Sequence, residues 1–453
     1  MSIDPCTEKT GGGLRVKGII ESDGTNLYST QYTYSPGILN GEVQYYWGNY
    51  QGKLFNGNTY NAERFFTTSL LPVSNNSEGG SVSYSNVTER QAGNGKIEYT
   101  FSNHDNRMDE NSVSIDLQKS PYSPLSSRIM ERGKLLESKI YKEGAVSPFR
   151  KDTYQYTILN NNPEYIRSVY LRRLALFGSY FVNAVEGSAY KIYIYPYNVT
   201  QKTEYFYDNS NTLQNEYSWT YDSYNQVASY INQNNSNNYK ETFKYPYNYQ
   251  DAIHTLMTGN NMVSPVIEKI TTRGNNNVEI ERIKTNYTDN VNITNGLILP
   301  SSVQSSFSGP GNLITDQTFN KYDAKGNILQ VSGRDGLTVC YLWGYKNQYP
   351  IAEIKNATYS DVTNIISATD LNTIADKYEP TTNDFNTINN LRNLLPNAMV
   401  TTYAYKPLVG LLKVTDPSGK IATYEYDNFN RLKHIKDLNG NILESYDYHY
   451  QNQ

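Results

Sequence analysis

Thr423-Tyr424-Glu425-Tyr426-Asp427, then Asn428-Phe429-Asn430, then Arg431-Leu432-Lys433-His434-Ile435-Lys436, then Asp437-Leu438-Asn439-Gly440-Asn441 is the stretch that decides the fold. It predicts a strand, a tight turn, a return strand and a second turn that leads the chain onward. Tyr405, Leu411, Asp416 and Gly419 match Tyr426, Leu432, Asp437 and Gly440 at a constant shift of 21. The tyrosine pairs Tyr403/Tyr405, Tyr424/Tyr426 and Tyr446/Tyr448 recur in step. Self-similarity at fixed spacing marks a tandem repeat. A hairpin of this size cannot bury its own face, so successive units must extend one sheet, with tyrosines in rows along it.

Working outward, a separate copy starts at Tyr322-Asp323, continues through Lys325-Gly326-Asn327-Ile328-Leu329 and reaches Asp335-Gly336, while weaker copies start at Tyr207-Asp208 and Tyr221-Asp222. Nearer the start, Leu14, Val16, Gly18 and Ile20 alternate along a strand, a turn covers Ser22 to Asn26, and Tyr28, Thr30, Tyr32 and Tyr34 lead back. The same design brackets Gly93-Asn94-Gly95, where Asn-Gly suits the positive φ of a hairpin turn. Strand patterns recur at 134–142, 150–158, 190–196, 201–207, 216–221, 240–245, 264–271, 278–287 and 299–307, with Asn232 to Asn238 and Gly274 to Asn277 as loop tips. One segment departs from this period. Val362, Ile365 and Ile366 after Tyr359-Ser360-Asp361, and Phe385, Ile388, Leu391, Leu394 and Leu395 after Asn383-Asp384, predict two short helices ended by Pro396.

The fold expected is therefore all-β: stacked antiparallel hairpins in a large curved or spiralling sheet, a partial shell, with a short two-helix insert near 359–396. Its organisation divides at 1–318 (degenerate hairpins), 319–358, 359–396 (the insert) and 397–453 (the tandem repeats). Composition agrees, since 44 of 453 residues are tyrosine and Asn is also abundant. Rings and β-branched side chains suit a pleated surface, and tyrosine adds apolar area with a polar tip.

A formal charge of −4 leaves no basic excess for a nucleic-acid backbone. Cys6 and Cys340 are the only cysteines, which excludes a disulfide scaffold or a CxxC metal site. The start has no apolar leader, and the apolar run Leu171 to Val185 is broken by Arg172 and Arg173, so neither a signal peptide nor a membrane span is expected. A chain that opens almost at once on a strand pattern and ends in one reads as a piece of something longer.

No catalytic, cofactor or metal site emerges. Asp323, Asp335, Asp416, Asp427 and Asp437 recur with the repeat, as turn carboxylates do and a glycosidase pair need not. His104, His254, His434 and His449 have no ligand spacing, Cys340 lies between strand residues as a small hydrophobe, and Gly11-Gly12-Gly13 lacks the lysine of a phosphate loop. Trp47 and Trp219 are the exposed-ring candidates for stacking on a glycan, and Trp343 reads as structural.

The repeat residues Tyr426-Asp427-Asn428-Phe429-Asn430-Arg431-Leu432 with Asp437-Leu438-Asn439-Gly440-Asn441 resemble the YD-repeat pattern, YDxxGRL followed by a DxxGN-like turn, of bacterial Rhs proteins and the related teneurins. Asn430 stands where that family usually has Gly. The stretches Thr338 to Tyr359 and Pro396 to Gly410 look like those of long, degenerate Rhs-like proteins. The resemblance is strong over roughly 319–450 and weaker before it. It implies a sheet shell wound into a spiral or cocoon, exported or displayed at the cell surface, carrying a toxin or adhesive domain as cargo. Asp416-Pro417-Ser418-Gly419 resembles the family's self-cleavage motif but fills the turn position of the repeat, and neither that terminal motif nor a toxin tail is recognisable. The expected role is a non-enzymatic, extracellular or surface shell segment; the alternative is a carbohydrate-binding adhesin that uses exposed aromatic residues.

Overall fold

The computed structural model describes residues 15–22, 27–39, 45–53, 57–67, 82–110, 113–114, 126–159, 162–173, 185–208, 211–234, 237–307, 309, 311 and 313–448. The chain forms two compact units, Met1–Lys240 and Glu241–Gln453. Both are antiparallel β.

In the first unit Gly18–Ser22 pairs with Leu27–Tyr34, which pairs with Asn86–Gln91, and the order continues through Gly95–Phe101, Leu135–Tyr141, Arg150–Ile158, Tyr197–Asp208, Asn211–Tyr221 and Val227–Asn234. Two long hairpins, Tyr45–Lys53 with Thr59–Thr67 and Tyr165–Arg173 with Val185–Tyr193, are inserted between strands of this series. Asn232, Gln233 and Asn234 were expected in a loop tip; they belong to the strand and pair with Tyr217, Glu216 and Asn215. Cross-strand hydrogen bonding outweighs the weak β preference of Asn once the register is set by its neighbours.

The second unit is a simple meander. Glu268–Arg273, Val278–Thr288, Leu299–Ser306, Ile314–Tyr322, Ile328–Gly333, Thr338–Gly344, Tyr349–Lys355, Met399–Lys406, Gly410–Thr415, Ile421–Tyr426, Leu432–Asp437 and Ile442–Ser445 each pair with the next. Between Tyr349–Lys355 and Met399–Lys406 the chain leaves the sheet to form helices Tyr359–Thr363, Ala368–Ala375 and Thr382–Leu394. The middle helix falls where the apolar spacing predicted none.

Each of these helices starts on a hydroxyl cap. Thr358, Ser367 and Thr381 accept from the backbone N–H of Asp361, Asp370 and Asp384, and at Thr358 and Thr381 the aspartate reaches back to the cap residue's N–H. Such reciprocal capping satisfies donors a short helix would otherwise leave bare. The insert's inner side, with Val362, Leu371, Ile374, Ile388 and Leu391, packs on Cys340, Leu342, Ile351, Ile354 and Val400 of the sheet. This is the main apolar core. Among the described residues no helix is long and apolar enough to cross a membrane.

Candidate functional site

The repeat positions converge on two linked devices, a carboxylate-centred turn and an aromatic bond between neighbouring hairpins. At Asp427 the backbone N–H donates to the carbonyl of Arg431 at 2.9 Å, and the N–H of Asn430 donates back to the Asp427 carbonyl at 3.0 Å. The Asp427 Oδ1 then accepts from the N–H groups of Phe429 (2.8 Å) and Arg431 (3.0 Å), and Oδ2 from Arg431 Nε (2.7 Å). Asp437 repeats the pattern with Asn439, Gly440 and Asn441, Asp416 with Gly419 and Lys420, Asp323 with Lys325, Gly326 and Asn327, and Asp222 with Tyr224, Asn225 and Gln226.

The fourth residue of every such turn has positive φ: Asn225 60°, Gly326 89°, Gly419 83°, Asn430 60° and Gly440 84°. Asn tolerates this left-handed geometry better than other side chains with a Cβ. Asp335 sits differently: the same backbone turn starts at Gly333, which bonds Gly336 (φ 80°) and Leu337, so Asp335 is its third residue and its Oδ1 accepts from the Leu337 N–H.

At three of the turns these bonds favour the charged carboxylate. The Ser418 hydroxyl bond lowers the Asp416 pKa, backbone and side-chain bonds from Arg431 lower that of Asp427, and Asn441 leads the same effect at Asp437. A lowered carboxyl pKa is the opposite of what a general acid needs.

The second device joins one hairpin to the next. Tyr426 donates its hydroxyl to the Leu411 carbonyl at 2.8 Å, Tyr448 to Leu432 at 2.8 Å, Tyr322 to Pro300 at 2.7 Å and Tyr221 to Val199 at 2.8 Å. Trp343 does the same with its indole N–H, reaching the Ile328 carbonyl at 2.9 Å. Every acceptor lies opposite an aromatic residue where the ladder slips by one: Leu411 faces Tyr405, Leu432 faces Tyr426, Pro300 faces Tyr287, Ile328 faces Tyr322 and Val199 faces Tyr156. A bulge leaves a backbone group without a ladder partner. The ring of the following hairpin supplies the missing donor. Burial raises the hydroxyl pKa at Tyr426 and Tyr221, and at Tyr322 pushes it up to about 12, which keeps the donor protonated.

Gly410 explains how Tyr426 reaches its acceptor, since a Cβ there would collide with the Tyr426 hydroxyl. Tyr405 stacks on Tyr349 with centroids 5.0 Å apart and meets Tyr345 edge-on at 5.9 Å, and Tyr345 donates to the Tyr405 carbonyl. Tyr403 and Tyr424 are half-buried on their strands, and the Tyr446 hydroxyl donates to Glu444.

The remaining candidates lie apart from this array. Trp219 is half-buried and tilted against Tyr230, centroids 5.4 Å apart. Trp47 pairs with Phe65 along the backbone, and its side chain lies outside the described residues, as do Cys6, Gly11-Gly12-Gly13 and His449. Cys340 is fully buried, donates to the Ala357 carbonyl, and has its thiol pKa pushed up to about 12 by burial. His254 caps back onto Asp251 at 2.6 Å, His434 contacts Ser445, and burial lowers the His104 pKa.

Sequence reasoning missed the polar side-chain ladders. Arg150 bridges Asp152 and Glu204 at 2.8 Å each, and Lys202 also reaches Glu204, which accepts from Tyr217. Glu268 likewise receives Lys244, Arg282 and Tyr249. At Glu204 only part of the signal was present, as Arg150-x-Asp152 and Lys202-x-Glu204 spaced two apart, which places each pair on one sheet face. A 240 Å³ cleft lies beside a related network, where Arg128, Glu131, Tyr193 and Tyr195 meet.

These features define a repeat protein built from antiparallel hairpins that are fastened to one another through their backbones. Residues 409–442 match the RHS Repeat family model, so this stretch carries RHS (YD) repeats. No curated protein matches the sequence. Among solved structures, TcdB2-TccC3 is similar over 93% of this chain and 22% of that one, at 10% identity and TM-score 0.42. The TcdB2-TccC3-Cdc42 complex gives 93%, 22%, 10% and 0.43, and the Photorhabdus luminescens Tc holotoxin pore with a mutated TccC3 gives 91%, 21%, 9% and 0.41. The chain thus spans about a fifth of the length of these structures.

Proposed function

We propose that the chain is a non-enzymatic shell or scaffold segment of a secreted or surface RHS protein, which encloses or displays a toxin or adhesive domain encoded elsewhere. The observation that carries this reading is where the repeated polar groups go. The carboxylates at Asp222, Asp323, Asp416, Asp427 and Asp437 bind their own turns, and the recurring aromatic donors bind the neighbouring hairpin. Residues repeated for the sake of the sheet are residues of a wall. A wall with its hairpins fastened together can hold a passenger away from solvent and from the cell that makes it. The RHS Repeat match at 409–442 supports the same reading.

The test is to produce the chain together with the polypeptide encoded beside it and to follow that polypeptide under protease. A shell role predicts co-purification and digestion at least tenfold slower than for the passenger alone. Equal digestion rates, or turnover of a glycan or peptide substrate that is lost in an Asp427→Asn variant, would contradict it.

A further inference from the structure

A cleft of 150 Å³ opens between helix Thr382–Leu394 and strands Met399–Lys406 and Gly410–Thr415, lined by Phe385, Asn386, Asn389, Thr402, Lys413 and Thr415 among others. Its charged groups are mainly cationic. Just beneath it, the Arg392 guanidinium is held by neutral oxygens alone: the Val400 carbonyl at 2.6 Å, the Thr415 carbonyl at 3.4 Å, and Asn389 through its carbonyl (3.4 Å) and Oδ1 (3.1 Å). Its Nε is buried without an acceptor. Lys413 stands exposed at the rim. Among the described residues no carboxylate lies within ion-pairing distance of either cation, whereas the nearby Lys377 is neutralised by Asp384 at 2.7 Å. Neither cation has an ion pair among those residues; the Asp416 carboxylate acts on Arg392 only through space, and in a partly dry cleft the remaining positive field acts on whatever enters.

The hydrogen-bonding groups point the same way. The Asn389 Oδ1 accepts from both Arg392 and the buried Thr402 hydroxyl (2.8 Å), which fixes the amide so that Nδ2, with two hydrogens and no acceptor among the described residues, is the group left for the cleft. Asn386 adds a second amide and Phe385 an apolar wall. We propose that this cleft binds a carboxylate with a short apolar stem, held by the Lys413 ammonium and the Asn389 amide over the positive Arg392. The site is separate from the turn and aromatic devices, and it stands whether or not the chain encloses a passenger. Its size admits one acidic group, such as the carboxylate of a uronic acid or of a glutamate side chain.

Isothermal titration of the whole chain with acetate, D-glucuronate and N-acetyl-L-glutamate tests this, with glucose as the neutral control. Saturable binding of the acids and none of glucose is expected, and a stronger response to glucuronate or to acetylglutamate tells a sugar acid from an acidic side chain as the source. Lys413→Gln, an exposed change, should weaken binding about tenfold, the scale of one charge-assisted hydrogen bond. Asn386→Ala serves as a second variant and should weaken it less. The proposal is overturned if none of the three acids binds saturably, if glucose binds as well, or if a folded Lys413→Gln chain binds acetate as the parent does.

Discussion

Tyr426 of one hairpin donates its hydroxyl to the Leu411 carbonyl of the hairpin before it, at 2.8 Å, and Leu411 is the residue that faces Tyr405 across the bulge. Tyr426 therefore completes the backbone of the hairpin before it, as Tyr448, Tyr322 and Tyr221 do for theirs. Two requirements follow from that geometry: a hydroxyl at 426, and no side chain at 410.

Tyr426→Phe keeps the ring and removes the donor, leaving the Leu411 carbonyl unpaired. It should cost about 1 kcal/mol, the usual net worth of such a bond, read as a lower urea midpoint. Gly410→Ala should cost at least as much, because the added Cβ collides with the same hydroxyl and must displace the ring.

At Asn430, φ is 60°. Asn430→Gly should leave stability unchanged or raise it slightly, whereas Asn430→Val should lose about 1–2 kcal/mol, the cost of a left-handed conformation for a side chain of that shape. Thermal melting of the two variants decides it; equal melting temperatures would show that the turn is not held in this form.

Acid should loosen the C-terminal repeats. Asp416, Asp427 and Asp437 have folded-state pKa values below their ordinary ones, through bonds led by Ser418, Arg431 and Asn441 respectively. For a lowered carboxyl pKa the stabilisation is whole above the unfolded value of about 4 and is lost as pH falls through the folded one. Denaturation midpoints measured downward from pH 5 should drop, and the drop should shrink when all three are changed to Asn.

Alkali acts on the other device with the opposite sense. Burial pushes the Tyr322 hydroxyl up to about 12, so its contribution is whole below the unfolded value of about 10 and is lost as pH rises through 12. A Tyr322→Phe chain should be less stable at pH 8 and should lose less on going to pH 12 than the parent does.

The core beneath the helices sets a larger scale. Leu391 is fully buried against the sheet while Phe429, on a turn, is 72% exposed. Leu391→Ala should cost about 2–5 kcal/mol and Phe429→Ala less than about 0.5 kcal/mol. A reversed order would place the stabilising core elsewhere.

Much of this array was legible in the sequence because its parts are local. Tyr424-x-Tyr426 alternates along a strand, and Asp427 to Arg431 is a turn whose bonds span four residues. Helix Ala368–Ala375 escaped because its apolar spacing is sparse, although Ser367-Ala368-Thr369-Asp370 carries the same hydroxyl-to-aspartate start as its neighbours. The Tyr426–Leu411 bond could not be read at all. It depends on where the ladder slips, and a bulge is set by the pairing of two strands rather than by either one alone. Trp343 shows the consequence: it shares no residue type with the tyrosines, yet it occupies their position and donates to Ile328 as they donate to their acceptors. The charge ladders around Glu204 and Glu268 were hidden for a related reason, since which charged strands become neighbours follows only from the strand order.

Hydrogen exchange on the Tyr426→Phe chain tests the central claim most directly. If the hydroxyl fastens one hairpin to the next, amide exchange should accelerate by roughly fivefold in both Gly410–Thr415 and Ile421–Asp437, as expected for a loss of about 1 kcal/mol, while a Tyr424→Phe control leaves both as they were. Exchange that changes only at residue 426, or equally in the two variants, would contradict it.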